Sequence, residues 1–195
     1  SMDTVNMTFQ EDILAAVAVM KNGGVILYPT DTVWGIGCDA TCAEAVRKVY
    51  DIKHRTDSKA LISLVSGMDE LKDYVGEIPD TIVALLENSP RPTTVVYPVC
   101  RNLAKGLVAD DGSAAFRITS EAYSGELCRQ LGSPVVSTSA NISGETAPAI
   151  FREISQEIIS AVDYVASYRR DDMALSSPSR VVKVNSDGST IILRP

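Results

Sequence analysis

Strand-length apolar runs alternate with helix-length amphipathic segments along this chain, and no Pro/Gly/Ser-rich linker, internal repeat or low-complexity stretch interrupts the pattern. The pattern starts with Ile13, Val17 and Met20 at helical spacing, closed by Gly23-Gly24. Val25-Ile26-Leu27-Tyr28 then reads as a buried strand that stops at Pro29. Past a polar, glycine-rich loop from Thr30 to Asp39, Thr41 and Glu44 have capping-box spacing, and Ala45, Val46, Val49 and Tyr50 supply a helix face.

Leu61 to Val65 is a further strand, Ser66 and Asp69 resemble a helix start, and Pro79 to Glu87 can form another helix. Thr93 to Val99 and Ala114 to Thr119 are strands joined by a loop with an Asp110-Asp111-Gly112 turn, which suggests antiparallel pairing. Glu121 to Leu131 reads as helix, Pro134 to Ser137 as strand, and Ile150, Ile154 and Ile158 as one helix face. Arg180 to Val184 and Thr190 to Leu193 flank the turn Asn185-Ser186-Asp187-Gly188. Alternation with some adjacent strands predicts a single α/β domain over residues 1–195 with a twisted mixed parallel/antiparallel sheet flanked by helices, not a purely parallel doubly wound one.

At 195 residues, 45% of them apolar, the chain can bury a continuous core. No apolar run reaches the roughly 18 residues needed to cross a bilayer, and the N-terminus lacks a signal-peptide layout, so no membrane role and a cytoplasmic location are expected. Cys38, Cys42, Cys100 and Cys128 lack C-x-x-C spacing and His54 is the single histidine, so no metal site is expected and the cysteines read as small buried apolar residues. A net charge of −7, from 18 Lys plus Arg against 25 Asp plus Glu, repels nucleic acid on average. The exception is local: Arg47, Lys48, Lys53, His54, Arg55 and Lys59 crowd one stretch.

Three segments carry candidate chemistry. In Tyr28-Pro29-Thr30-Asp31-Thr32-Val33-Trp34-Gly35-Ile36-Gly37, two hydroxyls flank a carboxylate directly after a buried strand. Such a loop can hold an amino acid or a phosphate, or it is an ordinary turn in which Asp31 caps an amide and Trp34 fills the core. In Lys53-His54-Arg55-Thr56-Asp57-Ser58-Lys59, cations and hydroxyls converge as a triphosphate requires, although a charge run is also a common solvated face. Ser137-Thr138-Ser139-Ala140-Asn141-Ile142-Ser143-Gly144 offers short donors after a strand, either an anion-binding nest or a plain loop. Neither a P-loop nor a G-x-G-x-x-G fingerprint occurs.

These segments, in this order, resemble the YrdC-type family of threonylcarbamoyl-AMP synthases. Phe116-Arg117-Ile118, Ser179-x-Val181-Val182 and Leu193-Arg194-Pro195 resemble further motifs of that family, so the likeness covers nearly the whole chain. It implies an ATP-using enzyme, a nucleotidyltransferase, that joins L-threonine, bicarbonate and ATP into threonylcarbamoyl-AMP and pyrophosphate for the t6A modification of tRNA, with Mg2+ accompanying the nucleotide. By resemblance, Lys53 and Arg55 are the catalytic cations, and Lys53, Arg55, Lys59, Ser113, Ser139, Asn141 and Arg194 hold ATP. Thr32, Arg117, Ser137 and Ser179 hold threonine, Arg117 as a bidentate partner of its carboxylate. Contact with tRNA or double-stranded RNA, and with proteins of the tRNA-modification pathway, is also implied. The sequence departs from the family at Arg180, where many relatives have threonine, at Lys59, where some have asparagine, and at Leu64, where longer relatives have histidine; it also ends before their extra C-terminal domain. Two alternatives are a double-stranded RNA-binding module and a YciO-type paralogue acting on a related carbamoyl adenylate.

Overall fold

Thr8 opens the first helix, α1 (Phe9–Lys21), with a complete capping box: Glu11 N donates to Thr8 Oγ1 at 3.1 Å and Thr8 N donates to Glu11 Oε1 at 2.9 Å. The structure, a computed structural model, describes residues 7–54 and 61–195. Ile13, Val17 and Met20 face the core of α1 as their spacing predicts. The box expected at Thr41 and Glu44 does not form. Thr41 gives both its amide and its hydroxyl to Asp39 Oδ1, at 2.9 and 2.7 Å, because a charged acceptor two residues back outcompetes the helix end. The next helix, α2 (Ala43–Lys53), therefore starts at Cys42 without a side-chain cap.

The remaining helices are α3 (Met68–Val75), α4 (Asp80–Asn88), α5 (Ala122–Leu131) and the short α6 (Gln156–Ala161). Ile150, Ile154 and Ile158 do not share one helix: a 3-10 turn at Phe151–Glu153 ends before Ser155, whose hydroxyl caps α6. Strands β1 (Ile26–Tyr28), β2 (Gly35–Gly37), β3 (Ile62–Val65), β4 (Thr93–Tyr97), β5 (Ala114–Ile118), β6 (Val135–Ser139), β7 (Tyr164–Val165), β8 (Arg180–Val184) and β9 (Thr190–Arg194) complete the list among the described residues. They form one mixed sheet in the order β7-β1-β2-β6-β3-β5-β4-β8-β9. Strand pairs β1/β7, β3/β5 and β4/β8 are parallel and the rest antiparallel, so the fold is α/β with a mixed sheet.

Strand β2 lies within the stretch read as a loop from sequence. It is wedged between β1 and β6, and an added Cβ at Gly37 would sit 2.2 Å from the Val136 carbonyl oxygen and 2.5 Å from the Tyr28 ring. Tyr28 crosses this gap to donate its hydroxyl to Val136 O at 2.7 Å. These glycines thus serve strand-to-strand approach, and Gly35 likewise leaves room for Ser137 Oγ, which a Cβ would meet at 2.8 Å.

Two apolar clusters hold the layers together. The larger packs α1, α2 and α5 against β1, β2, β3 and β6; the smaller packs α3 and α4 against β4, β5 and β8. One buried carboxylate ties α1 to the region around β7: Asp12 accepts from Tyr123 and Tyr164 hydroxyls and from the amides of Ser167 and Tyr168. Four donors satisfy a charge that would otherwise be costly to bury. Among the described residues no helix is long and apolar enough to cross a membrane.

Gly37→Ala should lower the stability by about 2 kcal/mol or more, because backbone rather than a flexible side-chain tip blocks the new methyl. Gly67→Ala, where nothing lies within 4 Å, meets no clash and should cost less, about 1 kcal/mol for alanine at the N-cap of α3. Urea unfolding of both variants checks the contrast.

Candidate active site

The strand registers that set Ile62 beside Ser137 and Thr94 beside Arg117 bring several polar side chains over one part of the sheet. A cavity of about 530 Å³ opens there. Its lining includes Thr32 after β1, Lys53 at the end of α2, Arg117 on β5, Ser137 and Ser139 on β6, Asn141 beyond it, Ser179 before β8 and Arg194 on β9. Eight residues singled out from sequence thus meet at one place, although they span most of the chain.

Arg117 is almost fully buried at 3% exposure. Its Nε donates to Asp31 Oδ1 at 3.0 Å and its Nη2 pairs with the same oxygen at 2.9 Å. Nη2 also donates to Thr32 Oγ1 at 3.2 Å. One edge of the guanidinium is therefore taken by Asp31, and Nη1, whose single hydrogen bond among the described residues is 3.5 Å long to Thr94 Oγ1, is the donor left for a ligand. Asp31 does not act as an amide cap; that task falls to Thr30, whose Oγ1 accepts from Thr32 N at 3.0 Å. Trp34 fills the core as expected, with its ring centroid 4.7 Å from that of Phe151.

A second guanidinium stands across the same wall. Arg194 Nε donates to Ser179 O at 2.7 Å and Arg194 Nη2 to Ser179 Oγ at 3.3 Å, while Ser179 Oγ lies 2.7 Å from Thr94 Oγ1. Partial burial and the nearby charges of Arg117 and Arg91 pull Arg194 below the usual arginine range, which marks a place short of negative charge. Lys53, buried at the end of α2, donates to Ser139 O at 2.6 Å and Asn141 O at 2.9 Å. Ser143 N returns a bond to Lys53 O at 2.8 Å, and Asn141 Nδ2 donates to Glu145 O at 3.0 Å. Asn141 Oδ1 is buried without a partner among the described residues. Three cations and no carboxylate line the cavity among the described residues, so it selects for anionic ligands.

Arg55 and Lys59 fall outside the described residues. Ser113 does not join the cavity lining: it precedes β5 and donates its hydroxyl to Asp111 Oδ1 at 2.6 Å. His54 ends α2 in the left-handed conformation and faces Glu157, with Nε2 3.5 Å from Oε2. No group of three or more metal-binding side chains occurs among the described residues. All four cysteines are free; Cys38 and Cys128 are buried, whereas Cys42 and Cys100 are half-buried. Burial raises the Cys38 and Cys128 thiols and pushes Cys100 up to about 11, so none of these three is a ready thiolate.

The family described as "Telomere recombination", comprising the Sua5, YciO and YrdC proteins, matches residues 18–195. The chain belongs to the Sua5/YciO/YrdC family. A protein of Xanthomonas campestris named threonylcarbamoyl-AMP synthase is 33% identical over 177 residues, covering 89% of this chain and 95% of its own. One of the same name from Pseudoalteromonas translucida is 34% identical over 161 residues, covering 81% and 86%. Among solved structures, P. abyssi Sua5 complexed with L-threonine matches with a TM-score of 0.82 at 21% identity, over 96% of this chain and 54% of that one. E. coli YciO matches with a TM-score of 0.81 at 22% identity, over 97% and 90%. At these identities the structures show a common Sua5/YciO/YrdC fold.

Three residues that hold lining or neighbouring groups in place, without lining the cavity themselves, were not linked to it from sequence. Asp31 was visible as a carboxylate, but its partner lies 86 residues away and no local signal links them. Thr94 was one of several β-branched strand residues. Arg169, which donates to Thr30 O at 3.0 Å and pairs with Glu121 at 3.3 Å, carried no motif.

Lys53→Met should leave the Ser139 and Asn141 carbonyls short of a donor. The expected loss is about 2–3 kcal/mol of stability, with faster amide exchange at Ser143. Urea unfolding and hydrogen exchange by mass spectrometry check both effects.

Proposed function

We propose that this protein is a threonylcarbamoyl-AMP synthase, a nucleotidyltransferase acting on L-threonine, bicarbonate and ATP. The observation that carries the reading is the cavity itself, in which, among the described residues, three cations and several hydroxyls converge without a lining carboxylate. It is supported by family membership and by relatives of that name that match nearly end to end. The threonine in the P. abyssi Sua5 structure supports the amino-acid half.

In the proposed reaction the threonine amine attacks the carbon of bicarbonate, water is lost, and a carbamate forms. A carbamate oxygen then attacks the α-phosphorus of ATP, and the bond to the β-phosphate oxygen breaks to release pyrophosphate. Every participant is an anion or becomes one, so the chief demand is to neutralise charge and hold the reacting oxygen in line. Arg117 Nη1, Thr32, Ser137 and Ser179 would hold the amino acid. Arg194, Ser139 and Asn141, with Arg55 and Lys59, would hold the nucleotide, while Lys53 acts chiefly by fixing the loop that carries Ser139 and Asn141. Ser113 would reach ATP only after releasing Asp111. Among the described residues the lining offers no carboxylate for a resident metal, so Mg2+ would enter on the triphosphate. The product would pass to tRNA through the proteins of the t6A pathway in the cytoplasm.

The expected result is pyrophosphate release that needs threonine, bicarbonate and ATP together. Arg55→Ala should weaken ATP about tenfold or more while leaving threonine binding unchanged, since a charge-assisted contact is worth about 1.5–3 kcal/mol. Equal release without threonine would reject the synthase reading and turn attention to a YciO-type reaction on another carbamoyl adenylate.

A further inference from the structure

Thr94 is nearly inaccessible at 1% exposure and Ser179 at 2%, and their hydroxyl oxygens are 2.7 Å apart. A buried hydroxyl must place its proton on an acceptor or bear the cost of an unmade bond. Thr94 Oγ1 has two neighbours among the described residues. Arg117 Nη1 can only donate, so the one acceptor within reach of the Thr94 proton is Ser179 Oγ. Ser179 Oγ also accepts from Arg194 Nη2. Both lone pairs of Ser179 are thereby filled, and its own proton has no acceptor among the described residues. Ser179 lines the cavity and Thr94 does not.

We infer that Thr94 is a positioning residue that fixes the Ser179 hydroxyl as a hydrogen-bond donor into the cavity, toward an anionic oxygen of the bound amino acid. The two guanidiniums at either end of the chain Arg117, Thr94, Ser179, Arg194 impose one direction on it. Each is an obligate donor, so two acceptors are required and one hydroxyl proton is left over. That proton leaves at the hydroxyl that faces the cavity. A carboxylate or carbamate oxygen there meets Arg117 Nη1 and the Ser179 proton together, whereas a ligand donor group meets repulsion. The inference rests on the proposed amino-acid site only for the identity of the ligand; the direction of the hydroxyl chain follows from geometry alone.

Two measurements separate these parts. Calorimetry with L-threonine should show Thr94→Val weakened about tenfold, Thr94→Ser within about threefold of wild type, and the double variant Thr94→Val/Ser179→Ala no weaker than Ser179→Ala alone. ATP affinity should be unchanged in Thr94→Val. Wild-type threonine affinity in Thr94→Val, or failure of Thr94→Ser to restore it, would overturn the inference. Urea unfolding needs no ligand. Ser179→Ala should lower the midpoint more than Thr94→Val, because it strands the Thr94 proton, whereas loss of Thr94 lets Ser179 turn toward the open cavity. Equal or reversed midpoints would overturn the assigned direction. If wild type binds no threonine, the synthase reading fails and the midpoints alone decide the inference.

Discussion

The buried pair between Asp31 and Arg117 organises this molecule's working face. Removing one partner of such a pair costs about 3–5 kcal/mol, because the other charge is left without compensation. The two residues come from opposite regions of the chain: Asp31 from the loop after β1, Arg117 from the interior of β5. Their contact draws the loop against the sheet, sets Thr32 beside Nη2, and leaves Nη1 beside Thr94. From there the contacts run on to Ser179 and Arg194, so one ion pair anchors a polar wall built from five segments of the chain.

Charge explains how an acidic protein holds anions. The net charge of −7 is a property of the whole surface, whereas Lys53, Arg117 and Arg194 are gathered at one cavity, and Asp31, which pairs with Arg117, is not part of its lining. Lys53 works differently from the arginines. Its ammonium bridges two carbonyls of the loop after β6, so it shapes the place where Ser139 and Asn141 stand. Arg169 has a similar part on the other side, joining the Thr30 carbonyl to Glu121 at the start of α5.

The alternation of elements was legible in the sequence because each amphipathic period is local: α1, α5 and the β8/β9 hairpin stand where Ile13, Leu131 and Asn185 to Gly188 place them. Strand β2 was not legible. A Gly-Ile-Gly run has no strand signature, and its place depends on Tyr28 and Val136 being close enough to exclude a Cβ. The break before α6 was hidden for a similar reason, since Ile150, Ile154 and Ile158 keep helical spacing although Ser155 starts a new cap. Most of the cavity residues could be named from motifs, including Thr32, Ser137, Ser179 and Arg194. What motifs could not supply was direction: which edge of Arg117 is free, which way the Thr94 hydroxyl points, and that Lys53 faces carbonyls. Those follow from partners far apart in sequence.

Threonine affinity of Asp31→Asn tests the account most directly, measured by calorimetry on protein shown to be folded. Asparagine keeps the shape and one acceptor but removes the charge that fixes Arg117. Threonine binding should weaken about tenfold or more while ATP binding changes little, with a lower unfolding midpoint. A folded Asp31→Asn protein that binds threonine as tightly as wild type would contradict the claim that this pair builds the amino-acid site.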